Sequence, residues 1–221
     1  MKKRQFLWIS LLLLMSNNSV LAVNKTIGVL VFDGVLSSDV TSPLEVFGVA
    51  SKLSWFSDYQ VKTIAITKKD FITTEEGLKL GVDISIDQNP QVDVLIVPSR
   101  YEMKSLVNNK TLIEFIKNRA KTVEWIASNC SGSSLLAEAN VLDNRKATTW
   151  AGGEKEFQTK YPAVKVQFDK NVVVDDNIIT SNGSVVSYQA ALTLLRLMTS
   201  PSKAQEVVET LQFSRLSSQT Y

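Results

Sequence analysis

One cysteine and no histidine stand among the 221 residues of this chain, and together they bound its chemistry. Without imidazole there is no Ser-His-Asp or Cys-His catalysis. Nor is there a zinc site of the kinds that need imidazole or several thiolates. Cys130 has no partner for an intramolecular disulfide. What remains open to it is the chemistry of a thiol nucleophile or of a reversibly oxidised sensor. The apolar run at 122–127 (TVEWIA) precedes it as a strand, and 133–139 (SSLLAEA) follows as a helix. Asn129-Cys130-Ser131-Gly132 makes the turn between them. A helix N-terminus beside the sulfur exposes it and lowers its pKa, so a thiolate is expected well below about pH 8. The amides of Ser131 and Gly132 are expected to hold developing negative charge. Against this, a free cysteine is often simply a small buried apolar residue.

The elements that must present this turn read as alternating strands and helices. Residues 27–32 (IGVLVF) and 92–97 (VDVLIV) are continuous apolar runs, the pattern of strands buried on both faces of a parallel sheet. Residues 59–67 read as another strand, and 78–86 alternate as an antiparallel or edge element. Ser42-Pro43-Leu44-Glu45 reads as a helix start, with Ser42 as N-cap and Glu45 completing a capping box. Residues 104–117 read as one amphipathic helix. Short strands are expected at 164–168, 172–174 and 178–180, the last two joined by a turn at 175–177. Helices at 185–198 and 202–211, the second capped by Ser202, close the chain. The implied fold class is α/β, a mostly parallel sheet between two helical layers. Ligands of such sheets bind at the carboxyl ends of the strands. Three segments deliver polar residues there: 33–45, Pro98-Ser99-Arg100, and the Cys130 turn.

The N-terminus reads as an export signal. Met1-Lys2-Lys3-Arg4 is basic, 6–15 is an apolar run of about ten residues, and Val20-Leu21-Ala22 suits a signal peptidase. A spanning helix needs about twenty. The expected boundaries are a leader at 1–22 and one domain at 23–221, periplasmic or secreted, with no membrane attachment after cleavage. Loss of Lys2, Lys3 and Arg4 takes the formal charge of +2 to about zero or just below. No basic cluster remains to track a phosphate backbone, so nucleic acid is not an expected partner.

Several stretches together resemble the ThiJ/PfpI superfamily: IGVLVFDGVLSSDVTSPLEVFGVAS, VDVLIVP, NCSGSSLLAEANVLDNRKATTW, YPAVKVQFD and NVVVDDNIITSNGSVVSYQAALTLL. The likeness is greatest to its isonitrile-hydratase branch and to the amidase-like domain of AraC-type regulators. It covers essentially the whole mature chain. The resemblance implies a flavodoxin-like three-layer sandwich, often a homodimer, with Cys130 at a nucleophile elbow. It also implies a carboxyl partner, either Asp39, where that branch has a D-x-T-G-P motif, or Glu45 in the first helix. Ser42-to-Glu45 capping alone also accounts for Glu45, and a turn or cap role accounts for Asp39. Three departures stand out. Ser99-Arg100 occupies the place of a glycine pair whose amides help form an oxyanion site. The side chains there narrow the site or, through Arg100, add a fixed cation for an anion; an exposed surface arginine is the plain alternative. Thr149 leads directly to Trp150, where related sequences read A-T-T-H-W. Ser131 replaces a threonine. The missing histidine counts against peptidase or glutaminase chemistry and less against hydration.

Two functions therefore stand side by side. One is cysteine-dependent hydration or amide hydrolysis of a small molecule, with Cys130, Asp39 or Glu45 in the chemistry and Ser131, Gly132, Ser99, Arg100 and Thr149 in binding. The other is a non-catalytic module that binds a small molecule or senses oxidants. Neither calls for a metal or a cofactor. The regulators' helix-turn-helix region is not expected, because the chain stops soon after residue 211. N-terminal sequencing of exported material should begin at Val23; an intact Met1 would contradict the leader.

Overall fold

Apolar runs with polar ends decide where the strands lie, and the computed structural model describes them over residues 25–218. The leader expected at 1–22 lies outside the described residues. In chain order the main elements begin with β1 (Lys25–Val31), α1 (Ser37–Ala50) and β2 (Tyr59–Ala65). A small antiparallel hairpin of β3 (Phe71–Thr73) and β4 (Lys79–Gly81) leads to the short β5 (Ile84–Ser85). Then come β6 (Val94–Val97), α2 (Lys104–Val107), α3 (Lys110–Arg119), β7 (Trp125–Asn129) and α4 (Ser133–Glu138). A parallel pair, β8 (Lys146–Ala147) and β9 (Lys165–Val166), flanks α5 (Glu154–Lys160). The last elements are β10 (Val172–Asp175), β11 (Ile178–Ser181), α6 (Val186–Met198) and α7 (Pro201–Thr210).

The central sheet has seven strands in the order β10-β11-β7-β6-β1-β2-β5. Every neighbouring pair is parallel except β10 with β11, a hairpin that turns at Asp176. From β1 the chain crosses to β2 through α1; from β6 it crosses the opposite way to β7 through α2 and α3. Right-handed crossovers of opposite direction put these helices on opposite faces. Accordingly α1, α6 and α7 pack together, as do α2, α3 and α4. This is the flavodoxin-like three-layer sandwich expected from the sequence. The crossover direction reverses between β1 and β6, which opens a crevice at their carboxyl ends. The core is continuous across both layers, from Ile27, Leu30 and Val46 to Leu112, Leu135 and Leu194.

Four local expectations are corrected. Helix α1 begins at Ser37, not Ser42, and Pro43 lies inside it. The start is held from a distance: Glu76, beyond β3, accepts the Ser37 amide at 2.9 Å and its hydroxyl at 2.6 Å. The single helix expected at 104–117 is broken into α2 and α3, because the Asn109 side chain accepts the Leu112 amide at 3.1 Å and caps a new helix. The element at 78–86 divides into β4 and β5. Asp83 bends the chain there by accepting the Thr63 amide at 2.8 Å, and β5 pairs parallel to β2. The last helix is capped by Ser200, whose hydroxyl accepts the Lys203 amide at 3.4 Å, rather than by Ser202.

Pro43 has a structural consequence. A helical residue at 43 would donate its N–H to the carbonyl of Asp39, and proline has none to give. That carbonyl instead accepts from the Asn129 side chain at 3.0 Å, and Asn129 in turn accepts from Ser181 at 2.7 Å. Helix α1 is thus tied to the residue that precedes Cys130. Asn129→Ala should cost about 1–3 kcal/mol in urea unfolding, since it orphans a buried carbonyl and a buried hydroxyl. Pro43→Ala should recover part of that loss in the double variant, with a coupling of about 0.5–3 kcal/mol. Strict additivity of the two substitutions would refute the substitution of one donor for the other.

Candidate functional site

Strand β7 delivers Cys130 at its carboxyl end in a left-handed backbone conformation, with φ at 51°. A cysteine in that region carries a cost of about 1–3 kcal/mol, so its surroundings must impose it. The Thr149 hydroxyl donates to its carbonyl at 3.3 Å, and the single proton of the Ser133 hydroxyl serves either that carbonyl at 3.1 Å or the Thr149 hydroxyl at 2.9 Å. Gly132 lets the turn close on β6, since a Cβ there would lie 2.4 Å from the Val97 carbonyl oxygen. Gly183, with φ at +79°, closes the other side: a Cβ would fall 2.4 Å from the Cβ of Cys130 and 2.9 Å from an Asp39 oxygen. The elbow is therefore a tight junction of β6, β7 and the loop after β11. The Cys130 residue is half-buried, with its sulfur 3.9 Å from the Ser131 hydroxyl.

Asp39 is fully buried beside it. One carboxylate oxygen accepts the Ser99 hydroxyl at 2.6 Å and the Ser99 amide at 3.2 Å. The other accepts the Ser187 hydroxyl at 2.9 Å and the Ser184 amide at 3.0 Å. Burial pushes the Asp39 carboxyl above the usual carboxylate range, and these four donated bonds pull the other way. Burial likewise pushes the Cys130 thiol up, and the charge of Asp39 adds to the push. The Ser99 hydroxyl and the Ser131 amide and hydroxyl draw it down by less. This reverses the expectation of a low-pKa thiol. Helix α4 has only six residues, too short a dipole to outweigh desolvation and a neighbouring carboxylate.

The other expected residues divide. Ser99, fully buried, is a donor to Asp39, and its side chain reaches the sulfur's surroundings. Thr149 steadies the elbow carbonyl. Glu45 is not brought to the thiol: it is exposed on α1, accepts the Tyr188 hydroxyl at 2.5 Å, and lines no part of the Cys130 cleft. The reason is spacing, because the earlier start of α1 puts Asp39 in the first turn facing the elbow and sends Glu45 outward. Arg100 reaches the cleft wall, but its guanidinium is held by the Glu102 carboxylate at 2.8 Å, the Asp33 carbonyl at 3.3 Å, the Glu102 carbonyl and the Ser105 hydroxyl. It braces the loop instead of standing as a free anion clamp. Ser184, Ser187 and Gly183 were not anticipated. They belong to a fourth segment at the ligand edge, signalled by Asn182-Gly183, a turn dipeptide directly after a buried strand.

The sulfur opens into a cleft of about 480 Å³ walled by Leu36, Met103, Trp150, Phe157 and Tyr161. Its volume suits a small molecule.

Comparison with known proteins identifies the family of the chain. The model of the DJ-1/PfpI family matches residues 25–197. The chain belongs to this family. The isonitrile hydratase of Pseudomonas putida is 29% identical over 192 residues, which cover 85% of this chain and 78% of that one. The HTH-type transcriptional regulator GbdR of Pseudomonas aeruginosa is 24% identical over 171 residues, 77% of this chain and 46% of the regulator. A ThiJ/PfpI family protein from Pseudomonas syringae shares the fold with a TM-score of 0.76 at 21% identity, covering 86% of this chain and 75% of that one.

Because folding favours the neutral thiol, the stability it contributes is complete below the ordinary thiol value of 9.0 and is lost as pH rises through the shifted value. Iodoacetamide labelling of Cys130 should therefore still be accelerating at pH 9.0. Asp39→Asn should bring the midpoint down by removing a negative charge. A labelling rate that levels off below about pH 8 would show that desolvation does not dominate.

Proposed function

We propose that this protein adds the Cys130 sulfur to an electrophilic carbon of a small molecule, in hydratase or amidohydrolase chemistry, with Asp39 receiving and returning the proton. The observation that carries this reading is a buried carboxyl that accepts the Ser99 hydroxyl close to Cys130, which itself lines an open cleft. Both groups have raised pKa values. The sulfur thus starts protonated and is deprotonated as it attacks, by a carboxylate whose affinity for a proton burial has increased.

For an isonitrile, the substrate class named in the Pseudomonas putida relative, the atoms balance without a cofactor. The sulfur bonds to the terminal carbon, and the thiol proton passes by way of Asp39 to that same carbon, leaving a thioimidate. Water then adds to this carbon, the sulfur leaves with a proton, and an N-substituted formamide is released. The Ser131 and Gly132 amides lie at the elbow to hold charge in the second stage. The reading includes export of the mature chain to the periplasm or medium, action as a homodimer, and no role for nucleic acid.

An oxidant-sensing role is the second reading, supported by the sulfur's access to the cleft. Its raised pKa weighs against it, since oxidants react with the thiolate.

Turnover of benzyl isocyanide and of small primary amides, assayed with the wild type and with Cys130→Ser, tests the proposal. Cys130→Ser should abolish turnover, and Asp39→Asn, checked for folding by circular dichroism, should lower it by about 10²–10⁴-fold. Unchanged turnover in Cys130→Ser would remove the sulfur from the reaction.

A further inference from the structure

We infer that the cleft selects an electrophile carrying a flat, uncharged aromatic ring, and that Trp150 is the specificity-determining residue. This rests on the chemistry proposed for Cys130 and adds what lies beyond the reacting carbon. Trp150 directly follows Thr149, whose hydroxyl holds the Cys130 carbonyl, so the indole is fixed close to the elbow. It lines the cleft and is 41% exposed, so part of the ring is open to a ligand there. The backbone beneath is shaped to receive it. A Cβ on Gly153 would lie 2.1 Å from the indole, and one on Gly152, where φ is +89°, would lie 3.6 Å from it. Two successive glycines thus let the chain lie flush against one side of the ring. Leu36, Met103 and Phe157 supply apolar surface elsewhere in the same cleft.

The charged groups of the cleft are arranged against a charged ligand. The Arg100 donors are committed to Glu102, Ser105 and Asp33. Lys160 faces Glu138 at 3.8 Å and stands 5.0 Å over the Tyr161 ring. A substrate carboxylate would have to compete with these partners for either cation. Glu156, the remaining charged group of the lining, is exposed at the rim, where water screens it. A ring stacked on the indole gains both apolar burial and the preference of aromatic faces for offset contact.

Binding is best measured with Cys130→Ala, which cannot react, by calorimetric titration with four probes: N-benzylformamide, N-methylformamide, N-formylglycine and N-(2-aminoethyl)formamide. N-Benzylformamide should bind at least roughly tenfold more tightly than the other three. Adding Trp150→Ala should erase most of that preference, and Trp150→Phe should keep most of it. Equal affinities, tightest binding of either charged probe, no binding of any probe, or indifference to Trp150→Ala would each overturn the inference. Ring preference in Cys130→Ala, without wild-type turnover of any isonitrile or amide, would instead remove the proposed reaction and leave the selectivity standing. Wild-type turnover without ring preference would do the reverse.

Discussion

A carboxylate sealed from water organises the functional end of this molecule. Asp39 takes its hydrogen bonds from residues 60, 145 and 148 positions away in sequence, so three chain segments must meet before its lone pairs are satisfied. Taking an ionised carboxylate out of water costs several kcal/mol unless such partners are in place. The arrangement of β1, β6 and β11 at their carboxyl ends and the presence of an acid beside Cys130 are therefore one constraint, not two. The main chain of the same residue adds to it: Pro43 leaves the Asp39 carbonyl without its helical donor, and Asn129 supplies one from the strand that carries the cysteine.

Close packing supplies the rest. Gly132 and Gly183 allow backbone to approach within distances that a Cβ would forbid, and Cys130 sits between them in a backbone conformation that costs energy. The result is a sulfur presented rigidly but in a poorly solvated place. Its pKa rises for the same reason that its position is well defined. A site built this way favours attack coupled to proton transfer over a standing thiolate.

The departures from related sequences acquire physical meaning in this setting. Ser99, standing where glycine is usual, does not block the site; its hydroxyl becomes the link between Asp39 and the region of the sulfur. Arg100 is turned into a brace between two loops. The position where a histidine would follow Thr149 is taken by an indole at the cleft wall. The basic partner typical of amidase-like sites is exchanged for apolar surface.

Much of the architecture was legible from one dimension. Continuous apolar runs such as 27–32 and 92–97 can be buried only in a covered parallel sheet, and a cysteine between a strand and a helix falls at the ligand edge of such a sheet. The lack of histidine by itself excluded an imidazole as the nucleophile's partner. Local signals failed where distant groups intervened. The Ser42-to-Glu45 pattern suits a helix start, yet Glu76 caps that helix five residues earlier and so turns Asp39 inward and Glu45 out. Arg100 looked like a free cation because Glu102, Ser105 and Asp33 meet around it only after folding. Residue types and short-range spacing thus determined the fold class and the nucleophile, and the resemblance to known sequences supplied the candidate acids. Which acid reaches the thiol, and whether that thiol is charged, were decided by tertiary structure, because both depend on desolvation and on hydrogen bonds between segments far apart in the chain.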